Sequence, residues 1–92
     1  MISILVVEDE FLIANLISET LEQAGYHCKC LYDGESAANE VEQVPYDLVL
    51  LDVMLPKVDG FELISYIRQY HIPVIFITAK GDVKDTAAAS HT

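Results

Sequence analysis

Asp47-Leu48-Val49-Leu50-Leu51-Asp52, in the middle of the chain, is four apolar residues in a row closed by a carboxylate at each end. A run this short that is apolar at both odd and even positions suits an interior strand of a parallel sheet, covered on both faces. Two other stretches share the pattern. Ile2–Val7 is apolar and ends on Glu8-Asp9-Glu10, and Pro73–Thr78 is apolar after its first residue. Tyr26–Leu31 is interrupted by His27 and Lys29, so it alternates as an edge strand does.

Helical spacing fills the intervals. Ile13, Leu16, Ile17, Leu21 and Ala24 recur on one face of a first helix that Gly25 closes. Asp33-Gly34 signals a turn, and Glu35–Gln43 reads as a short helix with Ala37, Ala38 and Val41 inward. Val53–Gly60 is a loop containing Pro56 and Asp59-Gly60, followed by a helix over Phe61–Tyr70 with Leu63, Ile64 and Ile67 inward. Gly81–Ser90 is compatible with one last short helix. Strict β-α alternation implies right-handed crossovers and a parallel sheet. The single edge-like strand fits an open doubly wound α/β sheet with strand order 2-1-3-4.

The chain has 92 residues, 52% of them hydrophobic, which is one small domain with a real core. A domain of this size buries only roughly 60–65% of its unfolded surface, so marginal stability is expected. The longest apolar runs fall far below the roughly 20 residues that span a bilayer, and no basic leader precedes the first strand. No membrane role and a cytoplasmic location are therefore expected. The net charge of −10, from 15 acidic and 5 basic residues, argues against direct nucleic-acid binding by this segment. Cys28 and Cys30 lie two apart on one strand, about 6.6 Å between Cα atoms. That is at the edge of disulfide geometry, so both read as free thiols, and no second cysteine pair suggests zinc. His27, His71 and His91 fall on different elements and read as surface or packing residues.

In an open α/β sheet the binding face lies at the carboxyl ends of the strands. Those ends carry Glu8 and Asp9, Asp52, and Thr78. In order 2-1-3-4 the first and third strands are neighbours, so three carboxylates share one pocket. Such crowding raises carboxyl pKa values and destabilises the fold unless a cation sits among them. Oxygen ligands select a hard ion, with Mg²⁺ the default. A carboxylate beside such an ion can attack phosphorus and form an acyl phosphate. Taken singly, Asp9 and Glu10 read equally well as helix-capping acids, and Thr78 as an ordinary β-branched strand residue. Together, at the strand ends, the chemical reading is the stronger.

Several stretches resemble bacterial two-component response-regulator receiver domains. They are Ile4-Leu5-Val6-Val7-Glu8-Asp9-Glu10, Gly25-Tyr26, Tyr46 through Asp52, Asp52-Val53-Met54-Leu55-Pro56, Asp59-Gly60-Phe61-Glu62-Leu63, and Pro73 through Ala79. The resemblance covers Ile2 to about Asp85 and is closest to receivers of the OmpR/PhoB type, which precede a DNA-binding domain. It implies a flavodoxin-like (CheY-like) fold and a single receiver domain over residues 1–92. That domain lacks the family's fifth strand and fifth helix, so it is incomplete at its C-terminus. It implies that Asp52 accepts a phosphoryl group from a phosphohistidine on a sensor histidine kinase. Asp9 matches the direct Mg²⁺ ligand, Glu8 the acid that reaches the metal through water, and the Met54 carbonyl the third protein ligand. Thr78 matches the hydroxyl that turns toward the phosphoryl group, and Ala79 the small residue that leaves room for it. The family's fifth strand ends in a lysine that Lys80, only two residues after Thr78, does not match.

By the same resemblance the domain is a phosphoacceptor that at most assists its own phosphorylation and dephosphorylation, with transcription as the output of the full protein. A Mg²⁺-dependent aspartyl-phosphate phosphatase is the rival reading, but Glu8-Asp9-Glu10 lacks the Asp-x-Asp spacing expected on the first strand of such enzymes. A nucleotide- or flavin-binding domain would want a Gly-rich first turn, which is absent. Finally, the apolar strand Pro73–Thr78 is expected at the sheet margin and open to self-association.

Overall fold

Seven elements alternate along the chain: β1 (Ser3–Val7), α1 (Phe11–Gln23), β2 (His27–Leu31), α2 (Gly34–Gln43), β3 (Leu48–Asp52), α3 (Gly60–Arg68) and β4 (Val74–Ile77). This computed structural model describes residues 1–55 and 59–77. Thr78, Ala79, Lys80, Pro56 and the expected helix over Gly81–Ser90 lie outside the described residues. All strand pairs are parallel, and the sheet order is β2-β1-β3-β4, as the alternation pattern predicts. The topology is flavodoxin-like, without a fifth strand or fifth helix among the described residues.

The two faces of the sheet are covered differently. Leu5, Val7, Val49 and Leu51 point to one side, where α2 and α3 add Ala37, Val41, Leu63 and Ile67 to form the main core. Each fully buried aliphatic side chain of this kind contributes about 1.5–3 kcal/mol. Ile4 and Val6 point to the other side, and Ala14 of α1 is buried with them. Beneath the main core, the buried Tyr46 donates its hydroxyl to Glu40 at 2.6 Å, and Lys29 of β2 pairs with the same carboxylate at 3.1 Å. Tyr66 of α3 donates to Glu42 of α2. These contacts tie α2 to β2 and to the entry of β3, and α3 to α2.

Three expectations need correction. Leu16, which the periodicity places inward, is 64% exposed, and Ala24 is also exposed. At about 100° per residue, Leu16 points roughly 160° away from Ala14, which is the residue α1 presses against the sheet. The helix carries apolar residues on both flanks, including the exposed Leu12, so periodicity alone picks a face that is too wide. Asp33-Gly34 is not a free turn but a helix start: the Asp33 carboxylate accepts from the amide and hydroxyl of Ser36, at 2.7 and 3.0 Å. Asp59 does the same for α3, accepting from the Phe61 amide at 2.9 Å. An Asp before a helix satisfies an orphan N–H, which is why it sits there.

Helix α1 ends as its glycine predicts. Gly25 adopts φ 101°, its N–H donates to the Glu22 carbonyl, and the Tyr26 N–H reaches back to the Leu21 carbonyl. That pair of bonds is the Schellman arrangement, which needs a left-handed residue. The turn between α3 and β4 uses the same conformation at His71, φ 60°, where no glycine is present. A side chain there costs roughly 1–2 kcal/mol. Two substitutions should therefore move stability in opposite directions. Gly25→Ala, whose new methyl meets nothing within 4 Å, should lower it by about 1 kcal/mol. His71→Gly should raise it by up to about 1 kcal/mol, part of the relief being offset by the greater freedom of glycine in the unfolded chain. Urea unfolding measures both, and equal signs would contradict this account of the turns.

Candidate functional site

The site is built by register. Val7 pairs with Leu51 across β1 and β3, so the residues that follow, Glu8 and Asp52, emerge together at the carboxyl ends of the two central strands. Both are fully buried, the only charged residues so placed among those described, and Asp9 is half-buried beside them. One oxygen from each of Glu8, Asp9 and Asp52 lies within 4.8 Å of the others. The neighbouring strands hold the site from both sides. The Glu8 amide donates to the Leu31 carbonyl of β2 at 3.0 Å, and the Val53 amide to the Ile77 carbonyl of β4 at 3.1 Å.

Local backbone groups aim the carboxylates. Asp52 Oδ1 accepts from the Met54 N–H at 2.9 Å, an Asx turn that starts the loop leaving β3. Glu8 Oε2 accepts from the Glu10 N–H at 2.9 Å. Glu10 itself stands at the N-cap of α1 but makes no side-chain cap, so helix capping does not account for the acids here. Burial pushes the Glu8 carboxyl above its ordinary range; contact with Asp9 and the charge of Asp52 push the same way, against the Glu10 amide.

Of the residues singled out from sequence, the fold brings together Glu8, Asp9 and Asp52, with Met54 two residues beyond. The Met54 side chain is 60% exposed, so its backbone, not its thioether, serves the site. The roles expected of Thr78 and Ala79 fall outside the described residues. The sequence points to Met54 as a carbonyl ligand and as part of the phosphoryl pocket with Ala79, but not to its amide as the group that orients Asp52. The signal is present, since an Asp at a strand end commonly bonds the amide two residues on. The donor set is oxygen only and anionic, which suits a hard divalent cation and disfavours softer ions. An ion there would hold Asp9, Asp52 and Glu8 together against their mutual repulsion.

The sequence and fold have close relatives. The chain matches the family described as Response regulator receiver domain over residues 4–92. It is 46% identical over 83 residues to the regulatory protein VanRc of Enterococcus gallinarum, covering 89% of this chain and 36% of that protein. It is 43% identical over 84 residues to the alkaline phosphatase synthesis transcriptional regulatory protein PhoP of Bacillus subtilis (strain 168), covering 89% of this chain and 35% of that protein. The chain thus spans little more than a third of the length of these curated relatives. Among solved structures it is similar to a chain in the complex of the histidine kinase ThkA with the response regulator protein TrrA. That likeness has a TM-score of 0.80 and 35% identity, and covers 91% of this chain and 74% of that one. With its strand order, its three converging carboxylates and these matches, the chain belongs to the response-regulator receiver-domain family.

Proposed function

We propose that the chain is a phosphoacceptor signalling domain in which Asp52 takes a phosphoryl group from a phosphohistidine of a sensor histidine kinase. The observation that carries this reading is the convergence of the Glu8, Asp9 and Asp52 oxygens within 4.8 Å where β1 and β3 end. In the transfer, a carboxylate oxygen of Asp52 forms a bond to phosphorus as the donor's P–N bond breaks, and the electron pair leaves with the imidazole nitrogen. The Met54 amide holds the other Asp52 oxygen, so the attacking oxygen is presented in one orientation. Asp9, Asp52 and the Met54 carbonyl would hold Mg²⁺, with Glu8 as the acidic neighbour that would reach it through water. When bound, the ion neutralises the carboxylates and the incoming phosphoryl oxygens. Thr78 supplies the hydroxyl that turns to the phosphoryl group, and Ala79 leaves space for it. The partner kinase is supported by the solved complex of ThkA with TrrA. The expected transcriptional output fits the name of the Bacillus subtilis relative, and the domain acts in the cytoplasm. No described helix is long and apolar enough to cross a membrane. The domain accepts phosphate without behaving as a turnover enzyme, and its net charge of −10 keeps it from gripping nucleic acid directly.

Three outcomes follow from this reading. After treatment with acetyl phosphate and Mg²⁺, intact-mass measurement should show a single phosphate adduct that persists on the parent chain and is lost in Asp52→Ala. An adduct that survives the substitution places the acceptor elsewhere, and rapid release of inorganic phosphate without an adduct favours the phosphatase reading.

Charge relief gives the second outcome. Asp52→Asn, which can keep its bond from the Met54 amide, should raise metal-free stability by on the order of 1 kcal/mol. Mg²⁺ should raise the melting temperature of the parent more than that of the variant. A parent chain whose melting ignores Mg²⁺ would contradict the metal assignment.

The third concerns β4, the last strand of the sheet among the described residues. It reads Val74-Ile75-Phe76-Ile77 without a charge, and Ile75 and Phe76 are 52% and 38% exposed on opposite faces. Apolar, uncharged margins pair with their own kind, so copies of the chain associate through residues 73–78. Light scattering over a concentration series should show association that Ile75→Lys abolishes. A parent that stays monomeric throughout would refute it.

A further inference from the structure

Two nucleophilic side chains stand apart from the carboxylate site. Cys28 and Cys30 lie on β2, the strand at the other margin of the sheet. They pair in register with Ile4 and Val6, so both thiols point to the α1 side, while Lys29 between them points the other way to Glu40 on α2. Both are half-buried in the seam where α1 crosses β2. Helix α1 runs antiparallel to the strand, and its facing residues follow in that order. Cys30 donates its thiol to the Ala14 carbonyl at 3.5 Å and meets the Ser18 side chain, while Glu22 lies close enough to both thiols to bear on their ionisation. Ala14 and Ser18, the α1 residues that face Cys30, are both small.

The spacing selects the chemistry. Successive same-face residues on a strand are about 6.6 Å apart, and their Cβ atoms start nearly as far apart. A disulfide needs Cβ atoms at about 3.5–4.5 Å, so oxidation to a cystine would require the strand to buckle. Two metal–thiolate bonds of about 2.3 Å laid end to end span about 4.6 Å. A modest inward tilt of each Cβ–Sγ bond closes the remaining difference of roughly 2 Å. A tetrahedral ion would need four donors, whereas the seam offers two sulfurs. Thiolates prefer soft cations such as Cu(I), the opposite of the oxygen-only cluster at Glu8, Asp9 and Asp52.

We propose that Cys28 and Cys30 form a two-coordinate site for a soft monovalent cation, Cu(I) in kind, between β2 and α1. Binding forms two S–metal bonds and releases two thiol protons to solvent, with no change of oxidation state. The ion's single positive charge cancels one of the two thiolate charges, so the strength of the copper–sulfur bonds, not charge alone, drives off the protons that burial and the Glu22 carboxylate favour. Both ligands belong to β2, so a bound ion braces the edge strand in its folded spacing, and binding to the folded chain should register in its stability.

The test is an anaerobic titration of the chain against the Cu(I) complex of bicinchoninate, read by the loss of the complex's colour, together with melting curves. The parent should withdraw one Cu(I) per chain, and its melting temperature should rise. Cys28→Val, a β-branched residue suited to an edge strand, should abolish the withdrawal while its metal-free melting stays near the parent's. Cys30→Ala should do the same. Failure of the parent to withdraw copper, or withdrawal that persists in Cys28→Val, would overturn the site. So would a fall in the parent's melting temperature with Cu(I), since that marks binding to the unfolded chain.

Discussion

Repulsion among three carboxylates at the ends of two adjacent strands is the constraint around which this domain is arranged. Glu8 and Asp52 are fully buried and Asp9 is half-buried beside them, with an oxygen of each within 4.8 Å of the others. A small domain has little stability to spare, and burying like charges draws on it. A hard cation among them would relieve that cost. The rest of the molecule can be read as the apparatus that keeps them there. Leu5, Val7, Val49 and Leu51, packed against α2 and α3, fix β1 and β3 in the register that delivers the acids side by side.

The support is also local. The amides of Glu10 and Met54 each take one carboxylate oxygen, leaving the others to converge. Preorganisation of this kind lowers the cost of assembling a phosphoryl-transfer site, where positioning and charge neutralisation do most of the catalysis. The strands beside the site share backbone bonds with it, β2 through Glu8 and β4 through Val53. A charge change at Asp52 therefore bears directly on the strand that carries Ile75 and Phe76, and a change in the seam of α1 bears on the helix that follows Asp9.

Much of this was legible in the residues. The runs of β1 and β3, apolar on both faces, and the alternating run of β2 fit the observed order, because burial on both sides of a parallel sheet leaves that mark; β4 carries the same apolar pattern although Ile75 and Phe76 are exposed among the described residues. The acids at Glu8, Asp9 and Asp52 were legible for the same reason, since order 2-1-3-4 makes the first and third strands neighbours. Gly25 announced its turn, but His71 took the same left-handed conformation without any glycine to signal it. Asp33 and Asp59 looked like turn residues because the same side-chain acceptor that makes a turn also caps a helix, and only the following backbone distinguishes the two. Leu16 reads as inward but is exposed, because α1 has apolar residues on more than one flank and the period of 3.6 takes in too wide a face. The network joining Tyr46, Glu40 and Lys29 links distant stretches of the chain, and no local pattern reports it.

The coupling between Glu8 and Asp52 is measured directly by a double-mutant cycle. Stabilities of the parent, Glu8→Gln, Asp52→Asn and the double variant would be determined by urea unfolding without divalent ions and again with Mg²⁺. Repulsion predicts that each single substitution stabilises the metal-free fold. The double variant should then gain less than the sum, with a coupling on the order of 1 kcal/mol, and Mg²⁺ should shrink or reverse the benefit. Single substitutions that destabilise the metal-free chain, or effects that simply add in both conditions, would contradict it.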